Sequence, residues 1–579
     1  MSVFAGVYAR LDDTSVLQSA SRDIRSILGS GAGGQLHEYR DASFYLAKLD
    51  LGAFPDSGWY AGSGEVIAAA GNPFFAGHAR SLPRADALRG FAHEEGGKGE
   101  ALLRGSRGSF SFCRYEPGPK QLTLGTDRLG VRPIYVYASP GIVVFATALH
   151  ILESIAAVPR QLSVRGVIEL AVFECTLSTR TAFAGIERLH AAELLHFDQT
   201  LASRTRYWRW DMVPTAQQDT TDIAKQAHEQ FMEAVAMRLG ASQEATSFLS
   251  GGLDARCVVA ALRSMGVSVD SYTFADPGTQ DRVFAAEFAA AAGLRHHQHA
   301  MPEGKPDWSG MISAATALAV PGRAANAARR VWSGDGGSVG IGHVQVTPGI
   351  IAHMRRGNTD AACRLFLRQE QKRIPQRLFV SSMIGKGEDL LVEGMEQELE
   401  RVPQAEPGRR FHLFLLLNDQ RNHLWRHFEG LLQHRIELVT PFFDSDFLAT
   451  VITANIDDCL GHNFYYSWMG FFDAVVRTVP WQAYPGHLPC PISVESRLRH
   501  QWDASHARAR NRNARWKILR RGAGVVLGRR FPNDILRRSA MAGAVLATGL
   551  GIRDYEYALH TGILVKDYWQ RSGGSVATE

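Results

Sequence analysis

The stretch "SFLSGGLDARC", residues 247–257, sets a serine, two glycines and an acid directly behind an apolar, strand-like run. Such a glycine pair lets backbone N–H groups approach a phosphate closely, and a helix starting just beyond it adds the positive end of its dipole. Ser250 then offers a hydroxyl, and Asp254 a carboxylate able to hold a magnesium ion bridging phosphate oxygens. No lysine follows the glycines, which separates the loop from the Walker A pattern. On residue types alone, a plain turn between a buried strand and a buried helix explains the stretch about as well.

The elements around the loop decide what it can do. From about Asp222 to Glu495 the rhythm is helix, strand, helix, the pattern of an α/β core with a parallel sheet. It predicts a helix to about Leu239, a strand at Ala245–Leu249, a helix over Leu253–Met265, a strand at Val269–Phe274 and a helix across Val283–Ala292. After about Val320–Arg330 the chain reads as mainly helical. Before the core, Met1 to about Met212 carries short apolar runs such as "VFAGVYARL", "SFYLAKLDL" and "IVVFATALH" with glycine and proline between them, a mostly β unit. The polar "VPTAQQDTTD" makes a linker, with Thr221 or Asp222 as the expected helix cap. Units at 1–212, 220–495 and 496–579 follow.

Composition narrows the class. At 579 residues the chain needs more than one core, and 45% apolar with 21% charged residues fits an ordinary enzyme. A formal charge of +5 argues for no nucleic-acid partner. Six scattered cysteines form no CxxC pair, so a reducing cytoplasm is expected, with neither a zinc site nor a disulfide framework. No apolar run approaches the roughly 18 residues of a membrane span, and the amino terminus does not read as a signal peptide. The final segment is basic: Arg497 to Arg538 holds thirteen Lys or Arg against Asp503 and Asp534, either a solvated helical face or a surface for an acidic partner.

Several stretches in order resemble the asparagine synthetase family. "SGGLDAR" is similar to its SGGLDS pyrophosphate loop. "SYTFADPGTQDRVFAAEFAAAAGLRHH" is similar to the following strand and helix, where Phe274 takes the place under the adenine. "SGDGGSVGIGH" from Ser333 resembles the SGEGSDE loop that closes over ATP, and "HRIELVTPFFDSDFL" resembles EVRVPFLD, with Glu437 and Asp444 in matching places. In the first unit "DRLGVRPIY" resembles the glutaminase signature DRLGVRPLY, and "GIERLHAAELLHFD" with "RYW" resembles that domain's end. The resemblance implies an Ntn-hydrolase-like αββα sandwich followed by an adenine-nucleotide-hydrolase (PP-loop) α/β domain with a helical C-terminal part. It implies ATP and Mg2+ as cofactors. Phe248, Ser250, Gly251, Gly252, Asp254, Phe274, Ser333 and Gly334 would bind the nucleotide, Asp254 and Asp335 the metal, and Asp335 or Glu437 would move the proton.

The departures carry information too. Glutamine-dependent members need a cysteine after the initiator methionine, where this chain has Ser2, and the NGEIYN stretch is replaced by "AAAGNPFF". A dead glutaminase beside an intact nucleotide loop is the arrangement of β-lactam synthetases and lasso-peptide cyclases, which join an amine and a carboxylate of one molecule. The acid expected at Ser338 is missing. So is a late lysine that neutralises pyrophosphate: "VPWQAYPGHLPCP" offers His487 instead, leaving Arg435 or a C-terminal arginine as replacement cation, or a compromised chemistry. Phe464, Tyr465, Tyr466, Trp468, Phe471, Phe472, Trp481 and Tyr484 read as core first and as a peptide-folding wall second. His296, His297 and His299 read as packing rather than metal ligands. The expected function is an AMP-forming amide ligase, foremost a lasso-peptide macrolactam synthetase acting on a peptide or small-molecule carboxylate, with a partner protease freeing the amine. The alternatives are an asparagine synthetase or surface-polysaccharide amidotransferase using ammonia, glutamine or an amino sugar, and a silent binding protein.

Overall fold

A computed structural model describes residues 2–10, 14–29, 33–62, 64–75, 83–89, 98–300, 328–372, 374–380, 388–430, 435–483, 488–500 and 512–577, with side chains from 516 onward in the last range. His434, Tyr484, His487, Asp503, Arg508 and Arg510 lie outside the described residues, as do the side chains of Arg512 and Arg515.

The first unit is two stacked six-stranded antiparallel sheets. One takes the order β10-β8-β9-β1-β3-β2, from β1 (Ser2–Ala9), β2 (Gln35–Arg40), β3 (Phe44–Asp50), β8 (Tyr135–Ala138), β9 (Ile142–Ala146) and β10 (Ile186–Arg188). The other, β12-β11-β7-β6-β5-β4, comprises β4 (Trp59–Ala61), β5 (Val66–Gly71), β6 (Phe110–Glu116), β7 (Gln121–Thr126), β11 (Glu193–Phe197) and β12 (Ala202–Arg206). All eight residues of β1 are buried, because one face meets the second sheet and the other meets α1 (Thr14–Gly29). A strand covered on both sides reads as a continuous apolar run, which is why "VFAGVYA" shows no alternation. Phe4, Tyr8, Phe44 and Leu46 from one sheet interdigitate with Val66, Cys113, Tyr115 and Leu124 from the other, Phe44 stacking on Tyr115 at 4.0 Å.

The second unit is built on a five-stranded parallel sheet, β15-β14-β13-β16-β17: β13 (Glu244–Phe248), β14 (Ser268–Phe274), β15 (Arg295–His299), β16 (Arg329–Trp332) and β17 (Ile436–Val439). Before it α3 (Thr220–Leu239) is capped by Asp219, which accepts from Thr221 N at 2.7 Å, and not by the expected Thr221 or Asp222, two and three residues further on. Helices α4 (Leu253–Ser264) and α5 (Gln280–Ala291) lie within a residue or a few of their expected bounds. Strand β16, the basic "RRVW", does not stand out in a region that reads as helical. The register sets Ser247 beside Trp332, and Trp332 beside Val439. The loops after β13, β16 and β17 therefore emerge at one edge, where ligands of such sheets sit.

Arginines fasten the two units together. Arg107 of the first donates to Asp444, which Arg238 reaches from α3 at 2.9 Å. Burial would raise Asp444, yet Arg238 and Arg107 hold it below the usual carboxylate range. Asp444 also caps α7 (Ser445–Thr453). Two further contacts come from "DRLGVRP": Arg128 meets Asp446 at 2.6 Å, and Arg132 pairs with Glu437. Three helices close the chain, α9 (Arg512–Leu527), α10 (Arg538–Gly549) and α11 (Glu556–Arg571), and the residues after them pair with Leu162. Among the described residues no helix is long and apolar enough to cross a membrane.

Candidate active site

Asp254, in the first turn of α4, is the centre of the site. Tyr465 donates its hydroxyl to Asp254 Oδ1 at 2.7 Å and Ser338 donates to Oδ2 at 2.8 Å. Packing around the carboxylate pushes it up to about 6; the two hydroxyls pull the other way, and the charge of Asp335 adds to the rise. The loop after β16 lies directly over it. A Cβ on Gly334 would come within 2.5 Å of Ala255 N, and one on Gly337 within 2.4 Å of Asp254 Oδ1, while Gly336 has φ +93°. These glycines are what let "SGDGGS" close on "SGGLD".

Asp335, on that loop, accepts from the Ser333 hydroxyl, and its Oδ1 lies 3.1 Å from His423 Nε2. The protein around His423 disfavours the imidazolium, but the hydrogen bond and charge of Asp335 outweigh this and raise the ring above the usual histidine value. Its side chain is 45% exposed. A carboxylate that fixes one imidazole nitrogen leaves the second to accept a proton.

The glycine loop has a different logic from the one its composition implies. Gly251 N donates to Asp281 Oδ1 at 3.1 Å, and a Cβ there would meet Asp281 Cα at 2.8 Å, so this glycine serves close packing on α5. Gly252 N donates to Ser250 Oγ at 3.2 Å and meets nothing closer than 3.4 Å. The loop leaves the Ser250 hydroxyl exposed ahead of the first turn of the twelve-residue α4. Arg256, fully buried, ties α4 to the later segment by donating to Val476 O, Val479 O and Pro480 O at 3.1, 2.9 and 2.9 Å.

Other sequence candidates fall elsewhere. Glu437 lies two residues before the end of β17, buried against Arg132. Arg435 precedes β17 and so stands at the edge of the sheet opposite the loops, which removes it as a cation for a phosphate there. Arg499 is better placed: its carbonyl accepts from Gln280 N at 2.8 Å and its N donates to Gly278 O at 3.3 Å, at the start of α5. With its amide nitrogen toward Asp281, Gln482 donates to that carboxylate at 2.9 Å and accepts from His500. Phe248 and Phe274 meet edge to face at 6.1 Å, and His299 stacks on Phe274 at 5.4 Å.

Of the late aromatics, Phe464, Trp468 and Phe472 pack into the core, Trp468 against Phe231 at 5.1 Å, while Tyr465 bonds Asp254. His297 stacks on Tyr272 at 4.6 Å and His296 bonds Ser271. Among the described residues no group of three or more His, Cys, Asp or Glu is placed to hold a metal ion by itself.

In the first unit Ser2 is buried, its hydroxyl donating to Ala69 O at 3.2 Å. The fully buried Lys48 donates to that same carbonyl and to Gly58 O at 2.9 Å, and burial, with Arg84 nearby, holds its amine well below the usual lysine value.

Two stacked antiparallel sheets followed by a parallel α/β unit with a glycine loop define a two-part mixed α/β protein. Its sequence matches the family models of a glutamine amidotransferase domain over residues 91–208 and of asparagine synthase over residues 226–306. These two matches, in this order along the chain, support the asparagine synthetase family. It is 23% identical over 170 residues to a Methanocaldococcus jannaschii protein described as glutamine-hydrolysing asparagine synthetase 2, covering 29% of this chain and spanning a third (33%) of that relative. Among solved structures it is similar to a glutamine phosphoribosylpyrophosphate amidotransferase from B. subtilis in complex with ADP and GMP, at 8% identity and TM-score 0.25, over 54% of this chain and 92% of that one. An allosteric regulatory enzyme of purine biosynthesis aligns at 9% identity and TM-score 0.25, over 48% and 66%.

Proposed function

We propose that this protein is an ATP- and magnesium-dependent amide-bond-forming ligase whose carboxylate and amine belong to one peptide, so that its product is a macrolactam of the lasso-peptide kind. The observation that carries this reading is Asp254: a carboxylate at the N-terminus of α4, roofed by Gly334 and Gly337, whose proton is held up to about 6. A cation relieves that condition. Asp254 and Asp335 are the carboxylates that would hold a magnesium ion there. Such an ion would supply neutralisation of phosphate charge.

The chain's own residues do the rest. Ser250 and the first turn of α4 hold the pyrophosphate part of ATP, and Arg499 supplies positive charge at the start of α5. The peptide carboxylate oxygen bonds to the α-phosphorus as the bond to pyrophosphate breaks, giving an acyl-adenylate. The peptide α-amine, with an ordinary pKa of about 8, bonds to the acyl carbon as AMP leaves, and its proton passes to His423 Nδ1, the nitrogen left open by the Asp335 contact. Amine and acyl group in one molecule gain a large effective molarity, so no ammonia from glutamine is required. The sandwich of residues 1–212 is then a shell, residues 220–495 the synthetase and 496–579 an extension. A cytoplasmic setting and a partner protease that frees the amine complete the reading.

A second reading, asparagine or polysaccharide amidation with ammonia, glutamine or an amino sugar, is favoured by the family models and the archaeal relative. Pyrophosphate release from Mg-ATP separates the two. Aspartate plus ammonium, aspartate plus glutamine, and a candidate precursor peptide with an open amino terminus are compared. Release with the peptide alone, and loss of one water from its mass, supports the macrolactam; release with aspartate returns the asparagine-forming reading.

A further inference from the structure

We infer that the C-terminal three-helix bundle docks the protein, peripherally, on an anionic lipid surface. Ten large apolar side chains are exposed among the described residues, and six of them, Trp516, Leu527, Leu546, Leu550, Ile552 and Tyr557, belong to this last short stretch of chain. Chance scatter of apolar residues over a surface does not concentrate them this way.

Helix geometry collects five of the six at one end. Arg538 donates to Val526 O at 3.0 Å, which sets the start of α10 beside the end of α9, and Gly522 faces Val545. The two helices are therefore antiparallel, and the end of α10, with Leu546 and Leu550, returns to the start of α9, where Trp516 stands. Ile552 and Tyr557 lie in and just after the turn into α11. Leu527 is at the opposite end.

Exposures of 64%, 74% and 75% for Leu546, Leu550 and Ile552, and 68% for Trp516, describe side chains that protrude. Residues lining a groove for a peptide are half covered by its walls; protruding ones suit a flat, yielding surface. Tryptophan and tyrosine beside leucine and isoleucine are the residues of a bilayer interface. Charge selects the lipid. Residues 512–577 hold twelve Lys and Arg against four Asp and Glu, a net +8 where the whole chain carries +5, and Lys517, Arg520 and Arg553 are exposed next to the apolar end. Anionic headgroups attract such a cluster.

The full-length protein is floated with vesicles of phosphatidylcholine alone or with about 30% phosphatidylglycerol, alongside light scattering for its mass in solution. Binding is expected only with phosphatidylglycerol, weakened by salt, and reduced roughly tenfold or more per residue by Leu546→Glu and Leu550→Glu. Both positions are exposed, and circular dichroism checks that the variants keep their helices. No binding to phosphatidylglycerol vesicles overturns the proposal, as does binding that Leu546→Glu/Leu550→Glu leaves unchanged. A dimer that this double variant dissolves, without vesicle binding, overturns it and gives the face to a second copy.

Discussion

The Tyr465 hydroxyl donates to Asp254 Oδ1 at 2.7 Å across 211 residues of sequence, while Ser338 serves the other oxygen. Both donors favour the charged carboxylate. Tyr465→Phe and Ser338→Ala each remove a hydrogen bond to a charged group, worth about 1.5–3 kcal/mol, so Mg-ATP affinity measured by calorimetry near neutral pH is expected to fall roughly tenfold or more in each. Unchanged affinity in both would detach Asp254 from nucleotide binding.

The same carboxylate sets a pH dependence. Asp254 stands at about 6 because packing raises it from the ordinary 3.8. The folded state thus holds this proton more tightly than the unfolded one: the stability it contributes is complete below the ordinary value and is lost as pH rises through about 6. A cation favours the ionised form, so Mg-ATP binding should strengthen as pH rises through that same window. Asp254→Asn should bind weakly with no such slope. A wild-type affinity that is flat between pH 5 and 7 (roughly one unit either side of the midpoint) contradicts this.

Gly251 and Gly252 look alike in sequence and differ in space. Alanine at 251 would drive its Cβ into the backbone of Asp281 at 2.8 Å, whereas at 252 the nearest atom is the Ser250 hydroxyl at 3.4 Å. Gly251→Ala is expected to shift α4 against α5 and abolish nucleotide binding, and Gly252→Ala to weaken it by less than tenfold. Equal losses in a nucleotide-binding titration would mean that the pair acts only through its flexibility.

Ser2 sits where a glutaminase carries its cysteine, but the obstacle is wider than one atom. Lys48, fully buried, donates to the same Ala69 carbonyl as Ser2 and stands beside Arg84, which bonds Asp56 and Gly71 O. Side chains of the protein fill the place. Ser2→Cys is therefore expected to yield no glutamate from glutamine, read by a coupled dehydrogenase assay; glutamate formation would show that the pocket opens.

Local features were legible in the chain. Short apolar runs and the "SFLSGGLD" passage specify strands and a helix start because neighbouring residues alone decide them. Tyr465 and His423 were not legible as site residues, since each reaches the site by a tertiary contact: Tyr465 reads as one more core aromatic among eight, and His423 follows an irregular π-helical turn at Leu415–Gln420 that no spacing rule anticipates. Glu437 is the converse case. Its place in a motif is visible, but its partner, Arg132, lies in the other unit of the chain.

That pair also makes a prediction about how the units hold together. Arg132 is lowered to about 9 by burial and lies over the Phe428 ring at 4.2 Å, while Glu437 is 2% exposed. Both charges gave up water to meet, so the pair itself adds little, but either one alone is left stranded. Arg132→Met or Glu437→Leu singly should cost about 3–5 kcal/mol, seen as a large drop in the denaturation midpoint. The double variant should recover most of the loss, because neither charge then remains inside. Losses that simply add would mean that Glu437 draws its stability from something other than Arg132, and would return it to consideration as a chemical group of the synthetase site.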